Sequence, residues 1–349
     1  MKSCHINQKD SMGDTPLGWT AENGHEEVVK LLLGQEDIDP NKPDEHGRTP
    51  LLRAACNGHE GIVKILLGRD DIHPNESDED GQTPLLLAAG NGHEGVVQML
   101  LGQEDIDPDK SDEDGRTPLV KAVYGGHKGV VRILLQRDDV DPNQTDDEDE
   151  TLLSWGVAAG HKWLVRMLLE RDDTNPNCLD EDGDSPLCVA ARFGDTAMVK
   201  ILLKRDDVDP NESNEYGESP LSCAAENGHE EVVGILLEQD NVNPDKPNIQ
   251  GATALWLAAA NGHDGVVKIL LGRDDVNPDA PNEDGQTPLC RAASSGYKAV
   301  VRLLLRQGNV NPDKPDKFGQ TALSYATRNG HTLVMVLLKF PATTIQSTK

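Results

Sequence analysis

The stretch GRTPLLRAACNGHEGIVKILL at residues 47–67 returns 34 residues later as GQTPLLLAAGNGHEGVVQMLL at 81–101. With Gly13 as a mark, the same step lands on Gly47, Gly81, Gly115, Asp149, Gly183, Gly217, Gly251, Gly285 and Gly319, ten copies without an insertion. A Thr or Ser follows each mark by two residues and a Leu by four, from Leu17 to Leu323. Pro stands between them in seven copies, among them Pro16 and Pro50. A hydroxyl followed by Pro starts a helix, because the side chain caps an orphan N–H and the ring fits the first turn. Glycines such as Gly24, Gly58 and Gly92 then stop it by taking the left-handed conformation.

A second helix follows, as in HEEVVKLLL at 25–33, with Val28, Val29, Leu32 and Leu33 on one stripe. The spacing predicts helices near 16–23 and 26–33 in the first copy, and at steps of 34 thereafter. Each of the nine complete links carries a Pro, from Pro40 to Pro312, which ends helical continuation. Link endings such as Asp-Gly read as tight turns. Helices this short are marginal alone, so their apolar faces must be covered by neighbouring copies. A regular period of this length means a solenoid.

These residues resemble the ankyrin repeat, whose core G-x-T-P-L-x-x-A-A-x-x-G-H-x-x-V-V-x-x-L-L is similar to 47–67 and 81–101. The resemblance runs from residue 13 to 338. It departs from the family in two ways. The His that usually follows T-P-L is missing in every copy, replaced for example by Leu52, Cys188 and Trp256. The link is one residue longer, with D-x-D-P-N in place of G-A-D-V-N, and is similar to links of ankyrin arrays in filamentous fungi. The resemblance implies an all-α solenoid of helix-turn-helix units with β-turn or hairpin finger loops. The expected organisation is a tail of a preceding repeat at 1–12, an array over 13–340 and a C-terminal tail at 341–349.

Composition sets limits on function. Lys+Arg total 33 against 61 Asp+Glu, a net charge of −28, so nucleic acid and anionic membranes would be repelled. No run approaches the roughly 18 apolar residues of a membrane span, and the start MKSCHINQKD has no apolar stretch for a secretion signal. A reducing interior, cytoplasm or nucleus, is expected. The cysteines Cys4, Cys56, Cys178, Cys188, Cys223 and Cys290 have no zinc-ligand spacing and read as small buried thiols.

Eight of the eleven histidines, from His25 to His331, follow the helix-ending Gly. Stacked helices lie about 8–10 Å apart, too far for successive imidazoles to share one ion, and backbone hydrogen bonding at the turn is the expected role. The acid-rich links, such as Asp112-Glu113-Asp114, lack the later bidentate Glu of a calcium loop and read as a solvated edge. No phosphate loop, nucleophile elbow or HExxH occurs. Cys56 near His59 has no third residue to orient a base. No cofactor, metal or enzyme activity is expected.

By the resemblance, partners bind through the fingertips flanking the marked Gly and through the two residues before Gly-His. Copies 4 to 6 depart most from the rest, with Tyr124, Asp149, Glu150, Trp155, Trp163 and Phe193. With the fingertip Tyr216, these form the candidate partner-binding set, since rings in a polar setting suit interface hot spots. Packing competes with this reading, because Trp19 and Tyr325 share the repeat position of Trp155. The function expected is that of a monomeric protein-binding scaffold whose partner carries a basic segment. A ligand-sensing or regulatory array of a larger intracellular protein is the first alternative. An accessory enzyme or small-molecule binder of a metabolic pathway is the second.

Overall fold

The computed structural model describes residues 6–145 and 150–340. Among them are twenty helices and no strand, and one isolated bridge pairs Thr145 with Thr151. The chain divides into two compact units, Met1–Leu152 with Glu170–Thr174, and the remainder.

The first unit holds α1 (Pro16–Glu22), α2 (Glu26–Leu33), α3 (Pro50–Cys56), α4 (Glu60–Leu67), α5 (Pro84–Gly90), α6 (Glu94–Leu101), α7 (Pro118–Tyr124) and α8 (Lys128–Leu135). Odd-numbered helices stack in one layer and even-numbered helices in a second. Thr49 accepts the Leu52 N–H at 3.2 Å, and Thr15, Thr83 and Thr117 cap their helices in the same way. Leu51, Leu85 and Leu119 are buried along the first layer together with Ala54, Ala55, Ala88, Ala89 and Ala122. Small Ala side chains let these helices approach closely. The second layer buries Ile62, Val63, Val96, Val97, Val130 and Val131.

The second unit repeats this arrangement. Its helices are α9 (Leu152–Ala158), α10 (Lys162–Leu169), α11 (Pro186–Arg192), α12 (Thr196–Leu202), α13 (Pro220–Glu226), α14 (Glu230–Leu237), α15 (Ala254–Asn261), α16 (Asp264–Leu270), α17 (Pro288–Ser295), α18 (Lys298–Leu304), α19 (Ala322–Arg328) and α20 (Thr332–Lys339). Ser185 and Ser219 replace Thr as caps without loss of the bond. Two copies have Ala in place of Pro: Thr253 caps α15 alone, while Thr321 forms a reciprocal capping box with Ser324.

The fingers are turns rather than strand hairpins. Asp44 folds its own finger, its Oδ1 accepting the N–H groups of His46 at 2.8 Å and Arg48 at 2.9 Å. Asp78, Asp112, Asp180, Asn214, Asn248 and Asp316 do the same. One backbone bond then joins finger to finger, as from Glu79 N–H to the His46 carbonyl at 3.0 Å. A single bond per finger is too few for a ladder.

The links form two further ties. Asn41 donates to the Asp71 carbonyl at 2.6 Å and accepts the His73 N–H at 3.1 Å, clasping the following link. Asn7 makes the same two bonds to Asp37 and Asp39. Arg69 forks onto Asp71 and reaches back to the Leu33 carbonyl at the end of α2. Arg137, Arg171, Arg205 and Arg273 repeat that arrangement.

Candidate protein-binding surface

The link carboxylates fall into two groups, which corrects the expectation of a uniformly solvated edge. Asp44, Asp112 and Asp316 are buried because their oxygens are needed to close the fingers. The residues at the tips, Glu45, Glu79, Asp80, Glu113 and Asp114 in the first unit and Glu181, Asp182, Glu215, Glu283 and Asp284 in the second, are exposed. This second group presents charge from the fingers, while link acids such as Glu36, Asp37, Asp70 and Asp105 are exposed away from the tips.

In the first unit a cleft of about 370 Å³ opens beside the fingers, lined among others by Glu22, His46, Cys56, Asp78, Glu79 and Asp80. Beneath it Arg53 is buried and pairs with Asp14, Glu22 and Asp44. Burial pushes the Asp44 carboxyl upward, but the Arg53 guanidinium and the N–H groups of Arg48 and His46 outweigh it and hold the pKa at about 2. Tyr124, the last residue of α7, is 42% exposed, and Glu150 is half-buried. Asp149 lies outside the described residues.

The second unit carries the other rings. Phe193 caps α11 and is 69% exposed, while Tyr216 stands on a fingertip at 57%. Trp163, on α10, is half-buried. Trp155 is also half-buried, its ring 5.0 Å from that of His161. In the first unit Trp19 meets His25 in the same way, with ring centroids 5.4 Å apart. The recurrence of this pair gives Trp155 a packing role in its own copy.

Two apolar fingertips were not singled out from the sequence. Ile249, 58% exposed, donates its N–H to the Tyr216 carbonyl at 2.9 Å, so the two residues lie on neighbouring tips. Phe318 is exposed on a tip further along. A comparison of the residues before each marked Gly would have found both, since acids fill most of those positions.

The histidines are used as structure. His59 Nε2 lies 2.8 Å from the Glu22 carbonyl of the preceding copy, so it is not available as a base for Cys56. His93, His127, His229, His263 and His331 each meet a carbonyl 37 residues earlier. Burial pushes the Cys56 thiol above the usual cysteine range, the opposite of activation.

Stacked helix pairs joined by turn fingers define a helical repeat protein. A family model described as ankyrin repeats (3 copies) matches residues 1–78, 70–146, 97–178, 153–248, 207–282 and 255–348, and the chain belongs to the ankyrin-repeat family. Ankyrin repeats are generally protein–protein interaction modules and typically non-enzymatic. No curated protein matches the chain at a significant level. No described helix is long and apolar enough to cross a membrane.

Proposed function

We propose that this chain is a protein-binding scaffold whose partner offers a basic segment carrying apolar side chains. The observation that carries the reading is the pairing of Tyr216 with Ile249 on neighbouring fingertips, flanked by the exposed carboxylates Glu215 and Glu283. Carboxylates draw a basic chain in by long-range attraction, and desolvated rings slow its departure. Phe193 extends the apolar contact in the second unit, with Trp155 and Trp163 as supporting rings. In the first unit Tyr124, Asp149 and Glu150 are proposed separately as contact residues. The scaffold acts as a monomer, in the cytoplasm or nucleus.

The test is an array of immobilised 15-residue peptides of graded charge, probed with the full chain. Lys/Arg-rich peptides containing Leu or Phe should retain it, and Tyr216→Ala with Phe193→Ala should release it while circular dichroism stays unchanged. Equal retention on acidic and basic peptides would rule the reading out.

A further inference from the structure

Cys188 and Cys223 are separated by 35 residues in sequence, a spacing that suggests no pairing. The fold brings them together. Cys188 sits on α11 and Cys223 on α13, and their sulfurs lie 3.6 Å apart. Both are buried, at 0% and 1% exposure. Arg192, at the end of α11, places Nη2 3.8 Å from the Cys223 sulfur. The same guanidinium holds Asp184 at 2.6 Å, and Asn214 donates to that carboxylate at 2.8 Å. The Arg192 Nε is buried with no acceptor among the described residues.

Two sulfurs and the Asp184 carboxylate within 4.8 Å of one another are a donor set that a thiophilic cation could use. The placement of Arg192 argues against it. The carboxylate is already neutralised by the guanidinium and occupied by Asn214, and a cation would have to displace a buried positive charge. What remains is thiol chemistry beside an arginine. Of the two sulfurs, Cys223 is the one beside the Arg192 guanidinium, which also pairs with Asp184 and Glu218. Cys188 is held as the thiol: its hydrogen bond to Cys223, with burial adding to it, pushes its proton loss far above the usual range. By position, Cys223 next to Arg192 takes the attacking role and Cys188, 3.6 Å away, the resolving one.

We propose that Cys188 and Cys223 form a peroxide-sensitive site at which a disulfide staples α11 to α13. Cys223 attacks one oxygen of hydrogen peroxide. The S–O bond forms, the O–O bond breaks, and one water leaves with the thiol proton. Cys188 then attacks the sulfenic sulfur; the S–S bond forms, the S–O bond breaks, and a second water carries off the Cys188 proton. The sulfur pair loses two electrons and the peroxide gains them. Forming the bond closes the sulfur gap from 3.6 Å to about 2.05 Å and brings the Cβ–S–S–Cβ dihedral to about 90°. Because neither sulfur is exposed, the oxidant enters by local opening of the helix layer.

Cys290 is the internal control. It is buried on α17 at the repeat position of Cys188, but the residue 35 positions on is Tyr325. The full chain is treated with hydrogen peroxide, unfolded, alkylated and digested. The proposal expects a linked peptide containing Cys188 and Cys223, lighter by about 2 Da, reversed by dithiothreitol, with Cys290 still alkylated. Amide exchange over 186–226 should slow at least about tenfold in the oxidised chain, and Cys223→Ser and Cys188→Ala should each abolish both effects. Arg192→Gln should slow formation of the link. The proposal is overturned if both thiols remain alkylatable after peroxide, if Cys290 oxidises as fast, or if zinc binds the reduced chain and is lost in Cys188→Ala.

Discussion

His93 Nε2 lies 3.0 Å from the carbonyl oxygen of Cys56, tying the turn of one copy to the first helix of the copy before it. The ring also fills the space beside Gly58, whose φ of +71° only a residue without Cβ adopts at low cost. A Cβ at Gly58 would come within 2.6 Å of His93 Nδ1. His93→Ala should therefore destabilise the first unit by about 1–2 kcal/mol. Gly58→Ala should cost at least as much, through both backbone strain and the clash with the ring. Urea denaturation followed by circular dichroism measures both, and a change below about 0.5 kcal/mol in either would contradict this role.

Asp109 occupies the repeat position of Asn41 and Asn75. It accepts the Asp141 N–H at 3.0 Å, but it has no amide to donate, and its Oδ1 is buried without a donor among the described residues. Burial pushes its carboxyl above the ordinary value. An acid whose folded pKa is raised penalises folding above that pKa, and the penalty fades as the group protonates. Asp109→Asn should stabilise by about 1 kcal/mol at pH 7. The gain should shrink as pH falls through the carboxylate range, which denaturation at graded pH would reveal.

Arg53 and Asp44 give the opposite sign. With its pKa held at about 2, Asp44 contributes stability that is complete above the ordinary carboxyl value and lost as pH falls from about 4 to about 2. Arg53→Met leaves Asp14 and Glu22 without this partner and Asp44 with Arg48 alone, and should cost about 3 kcal/mol at pH 7. The gap between wild type and variant should narrow across that acid window. A gap independent of pH would mean that the arginine acts through packing alone.

The outer helix α20 exposes Leu333 and Val336, whereas Val300 and Val301 of α18 are buried. Amide exchange should accordingly be fastest in α20 among the second-layer helices of its unit. Mass-spectrometric exchange checks this, and equal protection of α18 and α20 would refute it.

The period, the Thr-Pro caps and the apolar stripe made the helices legible in the sequence; α1 and α2 lie within a residue of the expected 16–23 and 26–33. The division of the link acids into buried and exposed was not read. The Asp or Asn three residues before each marked position, from Asp10 to Asp316, was its signal, hidden among neighbouring carboxylates of identical charge. The link arginines were missed for a related reason. Arg69 is next to two acids in sequence, but the Leu33 carbonyl it also holds is 36 residues earlier. Pairs such as Cys188 and Cys223 arise only from stacking, since one residue comes from each of two differing copies. The ring set was legible as composition, but exposure separates Phe193 and Tyr216 from Trp155, which packs on His161.

The central claim is recognition of a basic segment by fingertip acid and exposed rings. Its most direct test is the kinetics of the full chain on the tightest-binding Lys/Arg-rich peptide of the array, measured from low to high salt. Salt should slow association with little effect on dissociation, because screening acts beyond a Debye length of about 8 Å at physiological strength. Tyr216→Ala and Phe193→Ala should raise the dissociation rate about tenfold or more, equivalent to a loss of at least 1.4 kcal/mol. Association indifferent to salt, together with dissociation unchanged in both folded variants, would contradict the account.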